Sequence, residues 1–228
     1  MLTIMAISVF VMLGIWQLDR ADSKNKNYQR FFHAEGPGPV DFLSMMKQNL
    51  TPTALQWRHV SLAGEFAAAP VLLLDNQVFN GDAGYNVIAG FRVDGSEKSV
   101  LINLGWIGAG QERNTIPTVD VPTGRLEMKG WLQAPVDNRF IDETVIERLN
   151  DNIFRMQEIN IEEVSAASGT KHHPFIILLD PGVEFGYARD WAPSDSEQAR
   201  HQAYAFQWFS LAFFVLAAFM ILNLKKQE

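Results

Sequence analysis

The chain has 228 residues, no cysteine and a formal net charge of −7. The lack of cysteine excludes disulfides, thiol nucleophiles, zinc–thiolate sites and iron–sulfur clusters. The acidic balance argues against a nucleic-acid role, because phosphate binding needs clustered positive charge.

The chain opens on a nearly uncharged apolar run from Met1 to about Trp16. Roughly 20 apolar residues carry a helix across the ~30 Å hydrocarbon layer. No Lys or Arg precedes the run, and no small-residue cleavage site follows it. It therefore reads as a retained membrane helix over 1–18 rather than an export signal. If the helix continues, Trp16, Arg20 and Lys24 fall at i, i+4 and i+8 on one face. Trp suits the membrane interface and the two cations can snorkel to the headgroups. The same two cations could also hold an anion just outside the bilayer.

Residues 19–203 read mostly as short strands outside the membrane. Val71–Asp75 is a compact apolar run. Asn86–Val93 and Ser99–Trp106 flank Asp94-Gly95, the pattern of a β-hairpin with a slightly long loop. Arg125–Trp131 alternates polar and apolar residues, as a half-buried strand does. Phe154–Ile159 and Phe175–Leu179 are further strands. Asn160 can cap a helix over Ile161–Ser168 that ends at Gly169. Short helical turns are expected over Val40–Lys47 and Asp142–Leu149. The expected fold is a mainly-β domain, barrel- or sandwich-like with short helices, flanked by two transmembrane helices. His172-His173 lie in an extended segment, where adjacent side chains point to opposite faces and cannot share a metal. Nucleophile-elbow, phosphate-loop and paired-histidine zinc motifs are absent.

A second membrane helix spans 204–224, followed by a tail at 225–228. Its start, Arg200-His201-Gln202-Ala203-Tyr204-Ala205-Phe206-Gln207-Trp208, puts His201, Tyr204 and Trp208 at i, i+3 and i+7. Tyr and Trp there are ordinary interface anchors. Gln207 lies a turn deeper, where its amide needs a partner, and Gln17 at matching depth is the expected one. His201 is either a solvated histidine or a ligand for a metal or haem iron. A haem would find propionate partners in Arg200, Arg20 or Arg189. For a second axial ligand the chain offers only His33, His59, His172 and His173. Lys225 and Lys226 favour a cytoplasmic C-terminus, whereas Arg20, Lys24 and Lys26 pull the other way.

Together these segments resemble the Surfeit locus protein 1 family, membrane proteins that assist assembly of haem–copper terminal oxidases. Leu13-Gly14-Ile15-Trp16-Gln17-Leu18-Asp19-Arg20 is similar to the family's opening L-G-x-W-Q-x-x-R. Gly64-Glu65-Phe66, Leu74-Asp75-Asn76 and Gly84-Tyr85-Asn86-Val87 follow in the family's order. Next comes Val100-Leu101-Ile102-Asn103-Leu104-Gly105-Trp106-Ile107, with Leu104 where the family usually has arginine, which removes any anionic contact from that position. The stretch Ile88-Ala89-Gly90-Phe91 also lacks the usual threonine-proline. His201-Gln202-Ala203-Tyr204-Ala205-Phe206-Gln207-Trp208-Phe209 matches the closing H-x-x-Y-A-x-Q-W-F.

The resemblance implies a two-pass protein of the bacterial inner membrane, with a periplasmic domain and both termini cytoplasmic. It implies a chaperone rather than an enzyme, one that binds haem a between its helices and helps deliver it to cytochrome c oxidase subunit I alongside other assembly factors. His201 takes the position of the proposed iron ligand, with Trp16, Gln17, Arg20, Arg200, Tyr204, Gln207 and Trp208 around it. Two alternatives stand beside this. One is a haem-free membrane scaffold docking oxidase subunits; the other is an enzyme acting on haem or quinone, which would need more ligands than the chain displays.

Overall fold

The computed structural model describes residues 2–33, 38–48, 50–110, 115–134, 146–192 and 196–224. In chain order the elements are α1 (Leu2–His33), β1 (Val40–Asp41), α2 (Phe42–Met46), α3 (Pro52–Leu55), β2 (His59–Phe79), β3 (Asp82–Val93) and β4 (Ser99–Gly108). There follow β5 (Arg125–Gln133), β6 (Glu147–Arg148), β7 (Ile153–Met156), α4 (Ile161–Ser168), β8 (His172–Leu179) and α5 (Ser196–Leu224). They fall into two compact units, the pair of terminal helices and the β domain between them.

In the helix unit, α1 has 32 residues and α5 has 29. At 1.5 Å per residue these are about 48 and 44 Å long, more than the ~30 Å hydrocarbon layer. Both helices extend beyond the 1–18 and 204–224 stretches. Both are apolar enough to cross a membrane, and they leave Ile4, Met12, Phe206, Phe213 and Phe214 exposed. Water would penalise an apolar surface of that extent and lipid would not, so the pair has the character of a two-pass membrane anchor.

The β domain is one eight-stranded sheet in the order β3-β4-β8-β5-β2-β7-β6, with β1 added beside β2. At its centre is β2, 21 residues long. Its first third pairs with β5 (His59↔Trp131 to Glu65↔Arg125), and its later part pairs with β3 and β7. The β2–β3 ladder breaks between Phe66 and Val71, where Pro70 has no N–H to give. The sheet curls around its core through the β2–β3, β3–β4, β4–β8, β8–β5 and β5–β2 pairings. The hairpin anticipated at Asp94-Gly95 joins β3 to β4, with Gly95 at φ 78°. A second hairpin, joining β2 to β3, escaped the sequence reading. Its two-residue turn has Asn80 at φ 52° and Gly81 at φ 92°, the positive-φ pair that matches strand twist.

Residues Val87, Ala89, Phe91, Val100, Ile102, Leu104, Phe175, Ile177 and Leu179 point into the main core. Their alternates Ile88, Leu101, Ile176 and Leu178 are also buried, on the opposite face, where α4 packs against β8. Two-sided burial explains why these strands read as continuous apolar runs. The α4 ends match expectation: Asn160 Oδ1 accepts from the N–H groups of Glu162 and Glu163, and Gly169 adopts φ 67°. The turn expected at Val40–Lys47 is β1 followed by α2. Of the helix expected over Asp142–Leu149, residues 142–145 lie outside the described residues, and Glu147–Arg148 form a strand instead, paired with β7.

The two adjacent histidines part to opposite sides, as period-two geometry requires. His172 is 9 % exposed, with Nδ1 3.1 Å from Ser165 Oγ on α4. His173 meets Ser96 Oγ at 3.0 Å and lies edge-on to Phe42. Burial lowers both imidazole pKa values, and for His173 the charges of Lys98 and His172 add to the effect. A depressed pKa means that the folded state prefers the neutral ring. The stability this carries is complete above the unfolded value near 6.5 and is lost as pH falls below it. Urea unfolding of the intact protein, followed by tryptophan emission, should show a lower midpoint at pH 5 than at pH 7.5. His172→Gln should flatten that dependence.

Candidate functional site

The terminal helices pack antiparallel along one seam. On α1 it runs through Phe10, Gly14, Gln17, Ala21 and Lys24, a 4-3-4-3 spacing that keeps one stripe facing a partner helix. On α5 it runs through Glu197, His201, Ala205, Trp208 and Ala212. Phe10 stacks on Trp208 with ring centroids 5.8 Å apart, and Lys24 Nζ reaches Glu197 Oε2 at 2.7 Å. Ala21, Ala205 and Ala212 are buried. At Gly14 the fit is tightest: a Cβ there would lie 2.6 Å from the Phe209 ring. Small residues permit this approach, and van der Waals contact then supplies the association that the hydrophobic effect cannot supply inside lipid.

One polar contact crosses the seam in its middle. Gln17, 8 % exposed, places Oε1 2.7 Å from His201 Nδ1. An amide oxygen can only accept, so Nδ1 carries the proton and donates it. The imidazole is thereby held as the tautomer whose Nε2 has a free lone pair. Among the described residues Nε2 has no hydrogen-bond partner. An oriented histidine with its far nitrogen open is the arrangement found at metal-ligating histidines, where an outer partner fixes the ring. The partner expected for Gln17 was Gln207. Gln207 instead turns outward, because the seam passes through positions 201, 205 and 208 and 207 lies off it.

The remaining site candidates divide by the same geometry. Trp208 is half-buried in the seam. Trp16 and Tyr204 are exposed at 56 % and 47 %. Arg20 and Arg200 are exposed as well, and Arg20 has no ion-pair partner among the described residues. The structure thus joins Gln17, His201 and Trp208, and leaves Trp16, Arg20, Arg200, Tyr204 and Gln207 on outer faces.

Arg189 does not serve as an anion partner. It lies in the β domain, where its Nη atoms donate to the carbonyls of Phe185 and Val183 at 2.7 Å each, and more weakly to those of Leu104 and Pro181. Burial lowers its pKa, and four carbonyls stabilise the cation. This clamp explains Leu104-Gly105-Trp106. Leu104 is fully buried in the core, its carbonyl also accepts from Tyr187 N–H, and Trp106 N–H donates to Ala188 O. Gly105 sits at φ 114°, where a Cβ would meet Ala188 O and Arg189 Cγ at 2.7 and 2.8 Å. Trp106 stacks on Phe79 and donates Nε1–H to Gln77 O.

Of the other histidines, His59 Nε2 pairs with Asp180 Oδ2 at 2.9 Å and its ring stacks on Trp131, and His33 is exposed at the end of α1. No group of three or more potential metal-ligating side chains occurs among the described residues. The sequence reading named the seam histidine and glutamine but not their bond. The signal for it was the antiparallel registry of Phe10 with Trp208, seven residues from Gln17 and His201 respectively.

A two-pass helix pair bearing a curled β domain is the class of protein this architecture defines. The chain belongs to the SURF1 family, whose model matches residues 4–213. It is 27 % identical over 117 residues to SURF1-like proteins of Mycobacterium bovis and of two strains of Mycobacterium tuberculosis, all described as uncharacterized. The matched stretch is 50 % of this chain and 43 % of each relative, so it spans less than half the length of those proteins.

The seam makes a direct prediction. In this cysteine-free chain, a Phe10→Cys/Trp208→Cys variant should be joined efficiently by a short bifunctional thiol reagent. Adding Gly14→Leu should cost about 1–3 kcal/mol of packing and markedly lower the cross-linked fraction on a denaturing gel.

Proposed function

We propose that this protein is an assembly factor for a haem–copper terminal oxidase that holds haem a as cargo through His201 and helps pass it to subunit I. Membership of the SURF1 family supports the assembly role. The observation that carries the haem reading is the Gln17–His201 hydrogen bond, which presents an oriented imidazole with Nε2 open. Iron needs that lone pair, and removing an orienting partner of this kind typically weakens metal binding 10–100-fold.

The other parts follow from chemistry and position. Arg20 and Arg200 would pair with propionates, since guanidinium binds carboxylate with charge-assisted hydrogen bonds. Trp16, Tyr204, Gln207 and Trp208 would offer ring faces and an amide to the macrocycle and its tail. The seam itself is filled by Phe209 on Gly14 and by Ala205, so a haem lying between the helices requires them to part there. The protein does no chemistry on its cargo: it binds, shields and releases. In this reading the β domain faces the periplasm, both termini are cytoplasmic, and the partners are subunit I and other assembly factors.

The outward placement of Tyr204, Gln207, Arg20 and Arg200 favours a second reading. In that case the helix pair is a haem-free scaffold whose outer faces dock oxidase subunits.

The deciding measurement is an optical spectrum of detergent-purified protein from cells that make haem a. Wild type should carry a haem a band, and His201→Ala should abolish it. Gln17→Leu should keep the helices paired but reduce haem retention by about 10–100-fold. A colourless wild type, correctly inserted and made with haem a present, transfers the assignment to the scaffold.

A further inference from the structure

Within the β domain, the segments that carry the family resemblance converge on a second place. The ends of β2, β3 and β4 meet residues 188–191 around an open cavity of about 310 Å³. Its walls include three indoles, Trp57, Trp106 and Trp191, four side-chain amides, Gln77, Asn86, Asn103 and Gln133, and the carboxyl group of Asp190. This is the size and composition of a small-ligand site, apolar surfaces with a few placed polar groups. Structural demands do not account for all of it.

The amides are the informative part. Asn103 is 3 % exposed. Its one side-chain hydrogen bond is that accepted by Oδ1 from Gly105 N–H at 3.0 Å, so both Nδ2 hydrogens lack a partner among the described residues. Nδ2 keeps a small accessible surface and faces the open cavity, where a ligand can take it as a donor. Asn86 donates Nδ2–H to Gln77 Oε1 at 3.3 Å, which leaves its own Oδ1 as an acceptor. Since Ile88 is registered with Asn103, Asn86 lies two residues along on the same face of the neighbouring strand. A free donor and a free acceptor on adjacent strands therefore line one cavity, together with the Gln133 amide. The Trp106 and Trp191 Nε1–H groups are already given to Gln77 O and Leu179 O, so these indoles offer surface rather than hydrogen bonds.

We propose that this cavity binds a neutral amide group attached to an apolar ring, its carbonyl accepting from Asn103 and its N–H donating to Asn86. A carboxylate would face Asn86 Oδ1 and gain no partner there. The chemistry is that of a small carboxamide or of a proline-bearing stretch of polypeptide. The inference is independent of haem binding at His201, which lies in the other unit.

The test titrates the full chain in detergent with N-acetyl-L-prolinamide, read by intrinsic tryptophan fluorescence. A saturable change is expected. Asn103→Asp, which keeps the shape but replaces donors with an acceptor, should weaken binding about three- to tenfold. Gln133→Leu should weaken it similarly. The Gln133 side chain makes no hydrogen bond among the described residues, so this variant decides the matter if Asn103→Asp fails to fold. A doubly blocked Ala-Pro-Ala peptide binding more tightly than the free amide identifies a polypeptide source; equal or weaker binding identifies a small molecule. The proposal is overturned if no probe saturates. It is equally overturned if N-acetyl-L-proline carboxylate or glucose binds as well as the amide, or if the folded variants keep wild-type affinity.

Discussion

The close approach of two helix backbones at Gly14 governs the candidate site. Phe209 rests where any other residue would place a Cβ, and the alanines above and below continue the same narrow seam. Only at that separation can the short Gln17 side chain reach the His201 ring. An interhelical hydrogen bond in lipid is worth about 0.6 kcal/mol, too little to bring the helices together. Packing sets the distance, and the hydrogen bond then uses it to fix one imidazole tautomer. The Lys24–Glu197 pair, partly exposed, adds at most about 1 kcal/mol and helps set the registry at the polar end.

The β domain follows a similar order of causes. Arg189 gathers the carbonyls of Pro181, Val183, Phe185 and Leu104 around one guanidinium, and this draws the segment after β8 onto β4. Gly105 is required because Ala188 and Arg189 occupy the space beside it. Leu104, where arginine is more usual in the family, is simply a core residue here. The consequence of the clamp is a wall: Ala188 to Trp191 are held where they complete the amide-lined cavity.

Much of this was legible in the sequence for physical reasons. The terminal helices stood out by hydropathy, the Asp94-Gly95 hairpin by its turn residues, and α4 by Asn160 and Gly169 at its ends. What could not be read depended on which partner each residue meets. The start of β2, His59–Phe66, alternates as a strand does and was passed over, while Ala67–Ala69 and Pro70 hid its continuity with Val71–Asp75. The Asn80-Gly81 turn was a readable signal that the sequence reading passed over. Gln17 was recognised as needing a partner, but choosing His201 over Gln207 required the seam, and its heptad-like spacing is split between two segments far apart in the chain. Arg189 read as a free cation because nothing local announces four carbonyls converging on it.

The bond between Gln17 and His201 joins residues 184 positions apart, one near each end of the chain. Ribosomes make proteins from the N-terminus, so the orienting amide is synthesised long before the imidazole it orients. A nascent chain that has not yet reached His201 holds the amide without the ring it orients. The hydrogen bond therefore reports on biosynthesis: it forms only in a protein whose two ends have both been made and have met. Under the proposed function, an incomplete copy would lack the oriented imidazole through which the cargo is held.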